Sequence, residues 1–178
     1  MHAAQAIPIF PSTLARSIGV LPLGPLSLSL TAYARWIARS NPAIFRRLGE
    51  YGNATFALDP TDLPLVINLA PRDGNPEIKV TRNPVAVDAR IAGPLAALLG
   101  LVHGAYDGDA LFFSRDLLVE GDTSAALALR NAVDDAELDL AEEISHLPKV
   151  LATPLMGLIA RVERHTGVSL SRPEAPAW

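Results

Sequence analysis

Residues 109–122 read DALFFSRDLLVEGD and run directly into TSAALALRNAV at 123–133. Two adjacent aromatic residues, Phe112 and Phe113, precede a short apolar run, LLVEG (117–121), that reads as a strand. Glu-Gly-Asp then opens an Ala/Leu-rich helix, with Asp122 or Thr123 able to cap it through a side-chain oxygen. No nucleophile or metal cluster sits inside the stretch. Large apolar side chains beside a strand–helix corner suit holding an apolar molecule better than breaking bonds. Adjacent residues point to opposite faces of a strand or to neighbouring sides of a helical turn. One phenylalanine is therefore expected in the core and the other against a cavity.

Working back from this stretch, LAALLGLVHG (95–104) fits a helix with Leu95, Leu98, Leu99 and Val102 on one side, weakened locally by Gly100. Before it the period is two. Phe56 and Leu58 alternate with Thr55, Ala57 and Asp59 in ATFALD, and Leu65, Ile67 and Leu69 share a face of LVINLA. Ile78 and Val80 do so in EIKVTR, and Val87, Ala89 and Ile91 in AVDARIA. PRDGNP (71–76) separates the second and third runs, and Asp73-Gly74 within it is a hairpin signal. The four runs and LLVEG predict a mostly antiparallel five-stranded sheet with one wet face.

Three helices are expected ahead of the sheet. STLARSI ends at Gly19, and a longer helix follows Pro25, with Leu26, Leu30, Tyr33, Ala34 and Ile37 as its stripe. Ser40 or Asn41 is placed to cap a third, AIFRRLGEY, in which Pro42 occupies the first turn and Ile44, Phe45 and Leu48 lie together. After residue 134 come one or two helices. In the last of these Leu151, Leu155, Leu158, Ile159 and Val162 form a stripe. The expected organisation is an apolar helical arm (1–40), a sheet-bearing domain (41–140) and an amphipathic helix with a tail (141–178), all one globular unit.

Composition narrows the function. Hydrophobic residues make up 49% of the 178, charged residues only 19%, below the quarter usual for soluble domains. Mean hydropathy is +0.25. The surplus must face a core, a ligand, a partner or a membrane surface. A net charge of −4 argues against a nucleic-acid partner. The absence of cysteine excludes disulfides and thiolate chemistry and fits a reducing, cytoplasmic setting. Eighteen uncharged residues lie between Arg16 and Arg35, but Pro22, Gly24 and Pro25 interrupt them, against a spanning helix. Ala32-Tyr33-Ala34 resembles a signal-peptidase site, but the run lacks a basic start.

Metal and catalytic readings are weak. His103, Asp107 and Asp109 have chelating spacing but lie on a loop leaving a helix. Glu142 and His146 are four apart on a helix, a spacing more often solvated. Asp134, Asp135, Glu137, Asp139, Glu142 and Glu143 read as helix termini. No nucleophile elbow and no phosphate-binding glycine loop is present. No metal or catalytic residue is expected.

The order of elements, four alternating strands, a helix, ALFFSRDLLVEGD and an Ala/Leu helix, resembles the sterol carrier protein type two domain over roughly residues 46–139. That domain has an aromatic pair before a short strand that ends in Gly plus Asp or Asn. Here those positions are Phe112, Phe113, 117–120, Gly121 and Asp122. Within the family, LFFSRDLLVEGDTSAALALRNAVDDAEL, preceded by Leu/Pro-rich helices, is similar to the branch of accessory factors of bacterial ubiquinone biosynthesis. The resemblance implies an α+β fold whose helices lie on one face of the sheet and enclose an apolar tunnel. It also implies a non-enzymatic carrier that presents prenylated ubiquinone precursors to iron–sulfur proteins of oxygen-independent hydroxylation.

On this reading Leu98, Leu101, Val102, Phe112, Phe113 and Leu117 line the cavity, and Leu155, Met156 and Ile159 deepen or cover it. Leu26, Leu30 and Trp36 meet a bilayer, peripherally at the inner membrane. The cargo is an isoprenoid quinone, a quinone precursor or a phospholipid, and no other cofactor is expected. A homodimer through the arm is compatible with all of this. Two rivals remain: a scaffold subunit whose apolar surface meets protein partners, and a small enzyme on acyl or isoprenoid substrates, for which His103 is the candidate acid or base.

Overall fold

The period-two runs become five strands: β1 (Phe56–Pro60), β2 (Val66–Ala70), β3 (Glu77–Thr81), β4 (Ala89–Gly93) and β5 (Leu118–Gly121). The computed structural model describes residues 9–20, 22–103 and 117–134. The strands form one sheet in the order β3-β2-β1-β4-β5. All neighbours are antiparallel except β1 and β4. A parallel pair cannot be closed by a tight turn, and here residues 82–88 carry the chain from the β3 edge to the far side of β1. Phe56 stands beside Leu69 and Ala89, and Leu58 beside Ile67 and Ile91. One face therefore collects Phe56, Leu58, Leu69, Ala89, Ile91 and Val119, all part of or packed against the core. On the other face Arg90 pairs with both Asp59 and Glu120.

The hairpin signal at Asp73-Gly74 holds, with a wider loop than a two-residue turn. Arg72, Asp73 and Gly74 form a tight turn with φ of 46°, 49° and 93°. Left-handed backbone is costly at Arg72 and Asp73. The Asp73 carboxylate offsets this by accepting a hydrogen bond from Asn53 Nδ2 at 2.5 Å. It sits over Gly52, where a Cβ would collide with it.

The helices are α1 (Ser12–Ile18), α2 (Leu23–Ser40), α3 (Ala43–Arg47), α4 (Leu95–His103) and α5 (Thr123–Asp134). Three local expectations are corrected. α2 begins at Leu23, before Pro25, because a proline in the first turn forfeits no intrahelical bond. Neither Ser40 nor Asn41 caps α3 by its side chain. Pro42 occupies that position, and Asn41 contributes only its backbone carbonyl, which accepts from the Ile44 amide. In α4 the buried residues are Ala96, Ala97, Leu98, Gly100 and Leu101, whereas Leu95 and Leu99 stay half-buried. α4 is apolar all round, so periodicity could not choose its face. The small residues win because they let the helix approach closely.

Core packing follows from the same preference. Ile44 and Leu48 from the α3 segment, Ala97, Leu98 and Leu101 from α4, and Ala125, Ala126, Leu129 and Ala132 from α5 close over Phe56 and Ile91. α2 adds Ile37 to this cluster and otherwise lies along the outer strand β3. Its Thr31 Oγ1 accepts from the Ile78 amide and donates to the Ile78 carbonyl, both at 2.9 Å. Ser27 Oγ accepts from the Val80 amide at 2.9 Å, and Arg35 Nε donates to the Pro76 carbonyl at 3.1 Å. Four helical residues rise ~6.0 Å and two strand residues ~6.6 Å. Positions 27, 31 and 35 therefore stay in step with 80, 78 and 76, and the long Arg35 side chain absorbs the accumulated difference.

Replacing Thr31 by Val keeps the shape and strands both Ile78 backbone groups. The expected cost is about 2 kcal/mol, read by chemical denaturation. The Ile78 amide should also exchange with solvent faster than amides of β1. Unchanged stability and exchange would show that the side-chain contact contributes nothing.

Candidate functional site

The Gly121-Asp122 pair is a structural corner. Gly121 has φ 81°, and a Cβ there would collide with the Asp88 carbonyl oxygen. The Asp122 amide donates to that same oxygen at 2.8 Å. Asp122 Oδ1 then accepts from the amides of Ser124 at 2.9 Å and Ala125 at 3.0 Å, so it caps α5 as expected. Asp88 in turn is clasped by Thr55. Its Oδ2 accepts from the Thr55 amide and hydroxyl, each at 2.7 Å. The hydrogen bond from the Thr55 amide, reinforced by that from its hydroxyl, holds the Asp88 carboxyl below the usual carboxylate range. β4 consequently starts at Ala89, two residues later than the apolar alternation suggests. The corner ties the starts of β1 and β4 to the end of β5 and the first turn of α5.

This corner sets where the expected cavity residues fall. Leu98 and Leu101 on α4 and Leu117, just ahead of β5, come together in one buried cluster with Phe56, Ile91 and Leu129. Val102 lies in the last turn of α4. Phe112, Phe113, Leu155, Met156 and Ile159 lie outside the described residues, as do Asp107, Asp109, Glu142 and His146. His103 ends α4. Leu95 and Leu99, half-buried and one helical turn apart, add a second apolar side to α4 that the core leaves partly uncovered.

Two open clefts lie elsewhere. One, of ≈ 600 Å³, runs between α1 and the loop after β1 and is lined by Arg16, Val20, Asp62 and Pro64 among others. Asp62 holds this region together: its Oδ2 accepts from the Phe10 amide and its Oδ1 from the Leu95 amide at the start of α4, both at 2.9 Å. The other cleft, of ≈ 330 Å³, lies between α3 and the hairpin loop beside Arg46 and Asp73. Neither cleft is lined by Leu98, Leu101 or Leu117.

Of the three residues expected at a bilayer, Trp36 is on the outward side of α2, stacked on Tyr33 at a centroid distance of 6.2 Å. Leu26 is at the border of exposure and Leu30 half-buried. Leu28, which periodicity did not single out, is 74% exposed. The signal for it was the set of positions opposite the Ala34–Ile37 stripe. Among the described residues no helix is long and apolar enough to cross a membrane.

Comparison with known proteins bears on the whole arrangement. The family model described as the SCP-2 sterol transfer family matches residues 37–134, which include α3, all five strands, α4 and α5. The ubiquinone biosynthesis accessory factor UbiT of Escherichia coli (strain K12) is 34% identical over 89 residues, covering 50% of this chain and 47% of that protein. UbiT of Escherichia coli O157:H7 matches to the same extent. The chain thus spans about half the length of the curated relatives it matches. Among solved structures, the UbiJ-SCP2 ubiquinone synthesis protein superposes with a TM-score of 0.53 at 17% identity, covering 67% of this chain and 98% of that one. That likeness shows a shared α+β fold.

Two variants test the corner. Gly121→Ala should cost about 2 kcal/mol or more, since it imposes left-handed backbone on alanine and a collision with Asp88. A wild-type melting temperature would refute that. Thr55→Val removes one of the two hydrogen bonds to Asp88, so the Asp88 pKa should rise toward 3.8, the ordinary value. Because the folded pKa is the lower one, the stabilisation is present above about pH 4 and fades as pH falls through the folded value. Carboxyl NMR titration of wild type and variant reads it, and identical curves would count against the clasp.

Proposed function

We infer the function from family and site together: the chain belongs to the SCP-2 sterol transfer family, and we propose that it is a non-enzymatic carrier of prenyl lipid. Its cargo is a prenylated ubiquinone precursor, held for the iron–sulfur enzymes that hydroxylate such rings without oxygen. The UbiT likeness supports the pathway, and the apolar surroundings of α4 support the cargo. The observation that carries the reading is the gathering of Leu98, Leu101 and Leu117 around α4, while Leu95 and Leu99 remain only half covered. Phe112 and Phe113 belong, on this reading, to the wall of the same cavity, with Val102 beside them and Leu155, Met156 and Ile159 over it.

The energetics are sufficient without a polar recognition code. Each buried methylene contributes about 0.8 kcal/mol. Ten carbons of an isoprenoid tail give about 8 kcal/mol before ordering costs, equivalent to roughly micromolar affinity. Such binding discriminates by length and girth of the tail more than by head group.

Lipid extracted from the purified protein and read by mass spectrometry should contain an isoprenoid quinone or its precursor. A lipid-free sample that also fails to bind added precursor would overturn the proposal. Phe113→Ala should reduce retained lipid several-fold while the thermal transition stays cooperative. Full retention would make that residue ordinary core.

A further inference from the structure

Two opposite charges face the same cleft without meeting. The cleft of ≈ 330 Å³ between α3 and the hairpin loop has Ala38, Pro42 and Phe45 as its apolar lining, and Arg46 and Asp73 as its charged lining. Both charged residues are exposed. Among the described residues Arg46 has no carboxylate, and Asp73 no cation, within ion-pairing distance. The neighbouring Arg72 is paired with Glu77. Asp73 Oδ2 accepts from Asn53, whereas Oδ1, which lies over Gly52, accepts no hydrogen bond among the described residues.

The backbone holds this carboxylate in an uncommon position. Arg72 and Asp73 both have positive φ. An asparagine at 73 would adopt that conformation as readily and still accept from Asn53, so the turn alone does not call for a charge. Strained positions cluster where ligands are clamped.

The two charges decide what can bind. A simple anion drawn to Arg46 is repelled by Asp73, and a simple cation meets the reverse, so neither gains much. A ligand carrying both signs gains at both ends. Because the two side chains stand farther apart than an ion pair allows, its charges must be separated by a linker. Ligand pockets run from about 300 Å³ upward, so this cleft accommodates a head group and no long chain. Phe45 connects it to the interior, since it also packs against the cluster that holds Leu98 and Leu101.

We propose that this cleft binds a primary ammonium and a phosphate joined by a short aliphatic linker, the chemistry of ethanolamine phosphate, free or as the head of a phospholipid. The Arg46 guanidinium takes the phosphate as a fork. The ammonium donates to Asp73 Oδ1, and the linker methylenes lie against Pro42 and Phe45. A quaternary ammonium has no N–H for Asp73. The site goes beyond the carrier reading and does not need it, because the ligand is held by charge at the hairpin and not by the apolar side of α4.

The test uses the full chain and soluble probes. Titration with glycerophosphoethanolamine, followed by NMR of the Gly49 and Gly74 amides, should saturate in the millimolar range. An exposed ion pair is worth up to about fivefold, so glycerophosphoglycerol should bind about fivefold more weakly. Glycerophosphocholine, without N–H donors, and glycine, with both charges on one carbon, should also bind more weakly. Asp73→Asn keeps the turn and deletes the charge. It should weaken glycerophosphoethanolamine about fivefold and strengthen glycerophosphoglycerol, abolishing the preference. Arg46→Gln, at an exposed position, should weaken both. Lys79→Gln, exposed on β3, should change neither. Dihexanoyl phosphatidylethanolamine below its micellar concentration separates the sources. Tighter binding than the glycerol ester, with the same response to the variants, assigns a phospholipid head, and equal binding assigns the free ester. Equal affinity for all the probes, or variants without effect, overturns the site. Prenyl cargo is measured on the same samples. A cleft that fails while cargo is retained leaves the carrier reading standing, whereas protein that binds the ester but never carries prenyl lipid sinks the carrier reading alone.

Discussion

The outer strand of the sheet has no strand beyond it, yet its backbone groups must be satisfied. Bare edges invite pairing with other chains, and here a helix takes the place of the missing strand. Thr31 acts toward Ile78 much as a neighbouring strand residue would, with a single hydroxyl serving both amide and carbonyl. Ser27 serves Val80 while donating to the Leu23 carbonyl within its own helix at 2.8 Å. The near equality of four helical and two strand residues makes this substitution sustainable over three contacts. Once made, it leaves α2 no rotational freedom. Ala34, Ile37 and Ala38 are forced inward and Leu28 and Trp36 outward. The polar residues that interrupt the greasy N-terminal run are thus what seats it.

A second constraint operates at the other side of the sheet. The parallel pairing of β1 and β4 leaves their starts side by side, and Thr55 and Asp88 lock those starts together. The Asp88 carbonyl then receives the Asp122 amide, so the turn from β5 into α5 is built on the turn into β4. Only glycine fits at 121, because the chain passes too close to Asp88 for any side chain. Gly followed by Asp is therefore required by packing and by helix capping. It brings Leu117 and the alanine side of α5 onto the same cluster as α4.

How much of this was legible follows from where local chemistry was decisive. Alternation at Phe56/Leu58 and Ile67/Leu69 was enough to set strand faces, because one face is buried and a slip would have exposed it. The cap at Asp122 was legible because few side chains compete for that task. The seat of α4 was not, since every side of LAALLGLVH is apolar and only the sheet can choose among them. The role of Ser27 and Thr31 was also hidden. Their partners lie 53 and 47 residues away, and nothing local distinguishes a hydroxyl that covers an edge from one that merely dilutes an apolar run. Of the expected cavity residues, Leu98, Leu101 and Leu117 converge as a local reading of two separate elements could not guarantee. The exposure of Leu28 was hidden because the apolar stripe on the opposite side of α2 carries the stronger periodic signal.

These two anchors stand far apart in the sheet. The Ser27–Thr31 contact stands on β3 and the Asp88 corner ties β4 to β5, and these lie on opposite sides of β1 in the sheet. Four strand spacings of ~4.8 Å span the sheet from β3 to β5, roughly 19 Å. The core bridges that distance, because Ile37 of α2 belongs to the same buried cluster as Leu98, Leu101 and Leu117. Trp36 on the outer side of α2 stacks on Tyr33, and Tyr33 packs against that cluster, so a change at Trp36 has a path of direct contacts to the core.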